Sequence, residues 1–124
     1  MDEALTDSER IRRFEVTAGV DVVVHGDESR LRLACRVIEQ REGLTAQGVR
    51  TLDAFMRDRG EYELSSVEVL AEKAADGCDF SLRFTFIAGR DPHEYNYTYF
   101  EVYFGCHEPP SQPFWPHKLT VGFW

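Results

Sequence analysis

The chain has 124 residues, 43% of them hydrophobic and 29% charged, and carries a net charge of −8 from 14 basic and 22 acidic side chains. That length suits a single domain able to bury about two-thirds of its unfolded surface, and the composition excludes a disordered or fibrous chain. A net negative surface repels phosphates and anionic lipid, so neither nucleic acid nor membrane is an expected partner; it favours basic proteins and cations, or serves solubility alone.

No apolar run approaches the roughly 20 residues that span a bilayer. The opening Met1-Asp2-Glu3-Ala4-Leu5 is acidic and lacks the flank and apolar core of a signal peptide, so the expected compartment is the cytoplasm. Three cysteines, Cys35, Cys78 and Cys106, are an odd count at irregular spacing and form no disulfide framework. No repeat or linker divides residues 1–124. Residues 1–12 are polar, and either fray or form a short helix over Asp7 to Arg12.

From Phe14 the pattern has period two. Phe14, Val16, Ala18, Val20, Val22 and Val24 fall on one face, with Glu15, Thr17, Asp21 and His25 on the other. This is a half-buried strand pattern, turned or bulged at Gly19. Gly26 to Ser29 is a turn. Leu31, Leu33, Cys35 and Val37 then alternate with Arg30, Arg32, Ala34 and Arg36, which reads as a strand; Leu31, Ala34 and Ile38 also share a helical face.

The main helix is expected from Ala46 to Arg59. Thr45 stands at the N-cap, Leu44 and Val49 at staple spacing, and Val49, Leu52, Phe55 and Met56 form an apolar stripe that ends at Gly60. Gly48 is out of place there, costing roughly 1 kcal/mol relative to Ala.

Asp76-Gly77 has the composition of a two-residue type I′ turn. That turn sets Val67 opposite Phe86, Val69 opposite Phe84 and Ala71 opposite Leu82. The other face then carries Glu68, Leu70 and Glu72 beside Thr85, Arg83 and Ser81. A loop over Gly89 to Glu94 leads to a strand from Tyr95 to Phe104. One of its faces holds Thr98, Phe100, Val102 and Phe104, the other Tyr97, Tyr99, Glu101 and Tyr103. A Pro-rich connection, Gly105 to Pro116, precedes a last strand, Lys118 to Trp124.

The expected fold is α+β: an antiparallel sheet of about five to seven strands, a meander late in the chain, with one main helix packed on one face. The order of helix then meander is similar to cystatin-like architectures, a likeness of arrangement that carries no function.

No Gly-rich phosphate loop, G-x-S-x-G elbow, C-x-x-C or H-E-x-x-H motif is present. The best metal candidate is Cys106-His107-Glu108 with His117 and Cys78. Adjacent Cys and His seldom supply one ion, and the spacing of a zinc site is missing, so no metal or other cofactor is assigned. Cys106 with a histidine base, and His93 with Glu94, have the residue types of catalysis without its spacing, so no catalytic residue is assigned. Trp115, between prolines, and Trp124 are either recognition tips or caps on the core.

The most informative row is Tyr97, Tyr99, Glu101 and Tyr103. One helix covers one sheet face, so this row lies on the other, with Glu68, Glu72 and Arg83 beside it. Tyrosine offers large contact area at low entropy cost, and carboxylates favour a basic partner. The expected function is therefore non-catalytic binding of a basic protein. Its concrete form is a bacterial-type immunity or inhibitor protein that neutralises a basic toxin or nuclease, as monomer or homodimer. The alternatives are a small-molecule pocket near Phe55, Phe84 and Phe100, or a structural homodimer formed through the Tyr95–Phe104 strand or the last strand.

Overall fold

A computed structural model of the protein describes residues 12–17, 19–55, 61–88, 98–107 and 113–123. Six strands, β1 (Arg12–Thr17), β2 (Val20–Val24), β3 (Glu61–Val69), β4 (Phe80–Ala88), β5 (Thr98–Cys106) and β6 (Phe114–Phe123), form one sheet in sequential order. Every neighbouring pair is antiparallel except β2 and β3, which run parallel. Two helices, α1 (Glu28–Glu39) and α2 (Arg41–Phe55), lie between those two strands in the chain.

That parallel pair explains the largest departure from the sequence reading. Parallel neighbours need a long crossover, usually helical. Residues 31–37, expected as a strand, belong to that crossover and form α1. Local chemistry agrees. Asp27 caps the helix, accepting from the Ser29 amide at 3.1 Å, and Glu28 sits in the first turn, where negative charge is favourable. Leu33, Ala34 and Val37 are buried while Cys35 is exposed, so burial follows a helical period and the apparent alternation has no structural meaning.

The second helix starts five residues before the expected Ala46, and Thr45 lies inside it rather than at its cap. Gln40 alone separates the helices. Its amide still bonds back to the carbonyls of Arg36 and Val37, so the break is a kink of one residue. Leu44 and Leu52 are buried and Val49 packs against the core, as the stripe requires, but Phe55 is 74% exposed. Met56 and Gly60 lie outside the described residues. Gly48 has a clear role: a Cβ there would stand 2.7 Å from Cζ of Phe84. The helix approaches the sheet too closely for any side chain.

The β3–β4 register is displaced by four residues from the expected one. Val67 pairs with Leu82 and Val69 with Phe80. Four is an even number, so the apolar residues keep their face. The cause is the turn. A type I′ turn needs positive φ at Asp76, and only Gly77 has it, at 88°. The turn is instead closed by the Gly77 amide on the Ala74 carbonyl at 2.9 Å, with Gly77 in the left-handed position after it. Ala71 to Lys73 become extra length on the first arm.

The core lies between the helices and one sheet face. Phe80, Phe84, Phe100, Phe104 and Phe114 are fully buried there with Val22, Val24, Val69, Leu82 and Val102. Phe80 stacks on Phe104 at 5.2 Å, and Phe114 meets Phe80 edge-on at 5.4 Å. Phe114 is thus a core residue at the start of β6, not part of a loose connection, whereas Trp115 beside it is half exposed. No helix among the described residues is long and apolar enough to cross a membrane.

Candidate functional site

The alternation of β5 places Phe100, Val102 and Phe104 under the helices and Tyr99, Glu101 and Tyr103 on the opposite, helix-free face. Register assembles that face into rows across the sheet. Val23, Glu68, Ser81, Tyr103 and Lys118 form one row; Asp21, Ser66, Arg83, Glu101 and Thr120 form the next; Glu63, Thr85, Tyr99 and Gly122 form a third. Five of the residues expected to form a binding surface, Tyr99, Glu101, Tyr103, Glu68 and Arg83, are therefore brought together. Glu72 is not among them. It is exposed in the loop between β3 and β4, where the shifted register leaves it. Tyr97 lies outside the described residues.

The face is laced by its own polar contacts. Glu101 is buried, accepting from Ser81 Oγ at 3.1 Å and from Arg83 Nη2 at 3.1 Å. Arg83 also lies over the Tyr99 ring, 4.1 Å from its centroid, and Lys118 lies 4.4 Å from that of Tyr103. Burial and the nearby Glu101 push the Tyr103 phenol above its ordinary value. Tyr99 sits against Gly122, where a Cβ would stand 2.2 Å from Cζ. Glu68 meets His25 Nε2 at 2.7 Å. Glu101 is thus an internal strut of the face. Among the described residues, carboxylates that meet solvent on this face include Glu68 and the exposed Asp21 and Glu63, with the exposed Glu15 paired to Asp21. Asp21 was legible as polar in its strand; its place beside Arg83 and Glu101 depends on the parallel β2–β3 pairing.

The cysteine and histidine candidates separate. Cys106 pairs with Phe114 on the helix side of the sheet, and burial followed by the nearby Asp79 pushes its thiol up to about 11. Burial and Asp76 do the same to Cys78. Neither is the activated thiolate that nucleophilic catalysis needs. The ring of His107 faces His117, their Nε2 atoms 2.9 Å apart. Among the described residues, no group of three or more His, Cys, Asp or Glu is placed to hold a metal ion. His93, Glu94, Glu108 and Trp124 lie outside the described residues.

Sequence reasoning missed Asp79. It is a buried carboxylate that binds Arg30 of α1 at 3.1 Å, Lys73 at 2.5 Å and the Cys106 amide at 2.9 Å. Its only signal was a charge beside an expected turn. The pocket expected near Phe84 and Phe100 is absent at those two residues, which are fully buried in packed core. A groove of about 780 Å³ lies instead between the end of α2 and β6, lined by Arg50, Phe55, Trp115 and Lys118 among others.

The chain matches no protein-family model, no curated protein and no solved structure.

Proposed function

We propose that this chain is a non-catalytic binding module that engages a basic protein through the helix-free face of its sheet. Its concrete form is a small, cytoplasmic, bacterial-type immunity or inhibitor protein that occludes a basic toxin or nuclease. The observation that carries the reading is the juxtaposition of Tyr99 and Tyr103, half exposed, with the solvent-facing carboxylates Asp21, Glu63 and Glu68 on one continuous face. Its internal ladder around Glu101 holds the tyrosines in place before any partner arrives, which lowers the ordering cost of binding. A net charge of −8 steers a cationic partner towards it.

The test is affinity capture with wild type beside Tyr103→Ser and Glu68→Lys, each checked for fold. A stoichiometric basic protein held by wild type and lost by both variants supports the reading. No such protein, or equal capture by the variants, defeats it.

A second reading, binding of a small amphipathic anion, is favoured by one observation: in the α2–β6 groove Phe55 and Trp115 are 74% and 50% exposed beside Arg50. Phe55→Ser separates the two readings, because it alters the groove and leaves the open face intact. As for a homodimer, β5 is an interior strand, so its backbone edge is already paired; β6, like β1, is an edge strand.

A further inference from the structure

The bulged residue of β6 is His117. Tyr103 pairs with Lys118 and Phe104 with Pro116, which leaves His117 without a partner across the ladder. A bulge re-aims the side chain it carries. Here it turns the imidazole towards the end of β5, into a seat made by two glycines. A Cβ on Gly105 would stand 2.8 Å from both Cε1 and Nε2 of His117, and one on Gly77 would stand 3.0 Å from Cε1. Only residues without a side chain leave this space.

The seat also selects a tautomer. Nδ1 of His117 lies 3.4 Å from the Asp76 carbonyl oxygen, a long contact that favours N–H on Nδ1 and leaves Nε2 with its lone pair. That nitrogen faces Nε2 of His107 at 2.9 Å. His107 is held in turn by its backbone amide, which donates to the Pro113 carbonyl at 2.8 Å. The two nearby lysines are each engaged by a carboxylate, Lys118 by Asp76 at 2.7 Å and Lys73 by Asp79. Their charge is compensated locally.

We propose that His107 and His117 are a chelating pair for a borderline divalent transition ion: zinc, nickel or copper(II). The ring centroids are 5.1 Å apart, so the two Nε2 atoms point at each other as in a hydrogen bond. An ion about 2.0–2.1 Å from each of two cis nitrogens sets them roughly 2.9–3.4 Å apart, a span the pair reaches when the exposed His107 ring turns to aim its lone pair at the ion. The ion replaces the single proton that the two nitrogens now share. His107 carries that proton on Nδ1 instead, so both imidazoles stay neutral and no oxidant or reductant takes part. The remaining coordination positions are open to water or to a donor from another molecule. Cys106, beside His107 in the chain, packs against the core, and among the described residues no third His, Cys, Asp or Glu is grouped with the two histidines to hold an ion. The site adjoins the binding face at Lys118 and the groove that His117 also lines, but the proposal rests on the two histidines alone and depends on neither reading.

The experiment is calorimetric titration of the full-length chain with zinc chloride, and separately with nickel chloride. The chain carries Cys35→Ser to remove the exposed thiol. One ion per chain is expected, with a melting temperature that rises with free ion concentration. His107→Ala and His117→Ala should each weaken binding by at least the roughly tenfold that even outer-sphere losses cost. Circular dichroism checks both variants; if His117→Ala does not fold, the exposed His107→Ala carries the comparison. Absence of saturable one-to-one binding, or equal binding by the folded variants, overturns the proposal.

Discussion

Arg30 Nη2 stands 3.1 Å from Asp79 Oδ1, and through this contact the first turn of α1 is tied to the start of β4. The same guanidinium donates to the carbonyls of Leu70 and Asp79, at 2.7 and 3.2 Å. Asp79 adds Lys73 and the Cys106 amide, so one buried carboxylate joins a helix, a loop and two strands. Asp79→Ala leaves a largely buried arginine without its counter-charge and should cost about 3–5 kcal/mol in urea unfolding.

The pH dependence of that cost has a definite sign. Burial by itself raises the Asp79 carboxyl, but Lys73, the Cys106 amide and Arg30 together hold it below the ordinary 3.8. Its contribution is therefore present above the unfolded value and is lost as pH falls through the lowered folded value. The stability gap between wild type and Asp79→Asn should stay level at neutral pH and shrink below about pH 4. A gap that widens in acid contradicts this account.

Gly48→Ala tests the approach of α2 to the sheet. Alanine is the better helix former by roughly 1 kcal/mol, but its Cβ would meet the Phe84 ring at 2.7 Å, and overpacking costs about 1–3 kcal/mol. A net loss of stability is expected. In a Phe84→Leu background the loss should shrink, because the obstructing ring is gone. Equal loss in both backgrounds would locate the cause elsewhere.

Thiol labelling should divide the cysteines. Cys35 is exposed on α1, whereas the thiols of Cys78 and Cys106 are raised to about 11. At about pH 8 only roughly a thousandth of such a group is thiolate. A disulfide reagent should therefore modify one cysteine per native chain at once and the other two only on unfolding. Mass spectrometry of the labelled peptides checks the assignment.

Glu101→Lys should destabilise the chain by about 3 kcal/mol or more, because it buries an ammonium beside Arg83. Thermal melting reads this directly. Loss of partner capture by that variant would report lost fold, so Tyr103 and Glu68, which are not fully buried, are the better probes of the face.

Much of the sheet was legible from local pattern. The period-two runs around Val22 and in Thr98 to Phe104 follow from the pleat, which sends successive side chains to opposite faces. The same rule put Tyr99, Glu101 and Tyr103 on the face away from the helices, and the apolar stripe of Val49 and Leu52 located the second helix, though not its start. Tertiary structure decided the rest. Whether residues 31–37 were helix or strand depended on β2 pairing with β3 in parallel, a contact between distant parts of the chain. The β3–β4 register depended on the loop arm that Lys73 anchors to Asp79, which outweighed the preference of Asp76-Gly77 for a tighter turn. Burial of Glu101 depended on neighbours from β4, and the meeting of His107 with His117 on a bulge that has no local signature. Periodicity is a property of neighbouring residues and survives in a bare sequence; pairing partners are set by which distant surfaces bury each other, and only the folded chain contains them.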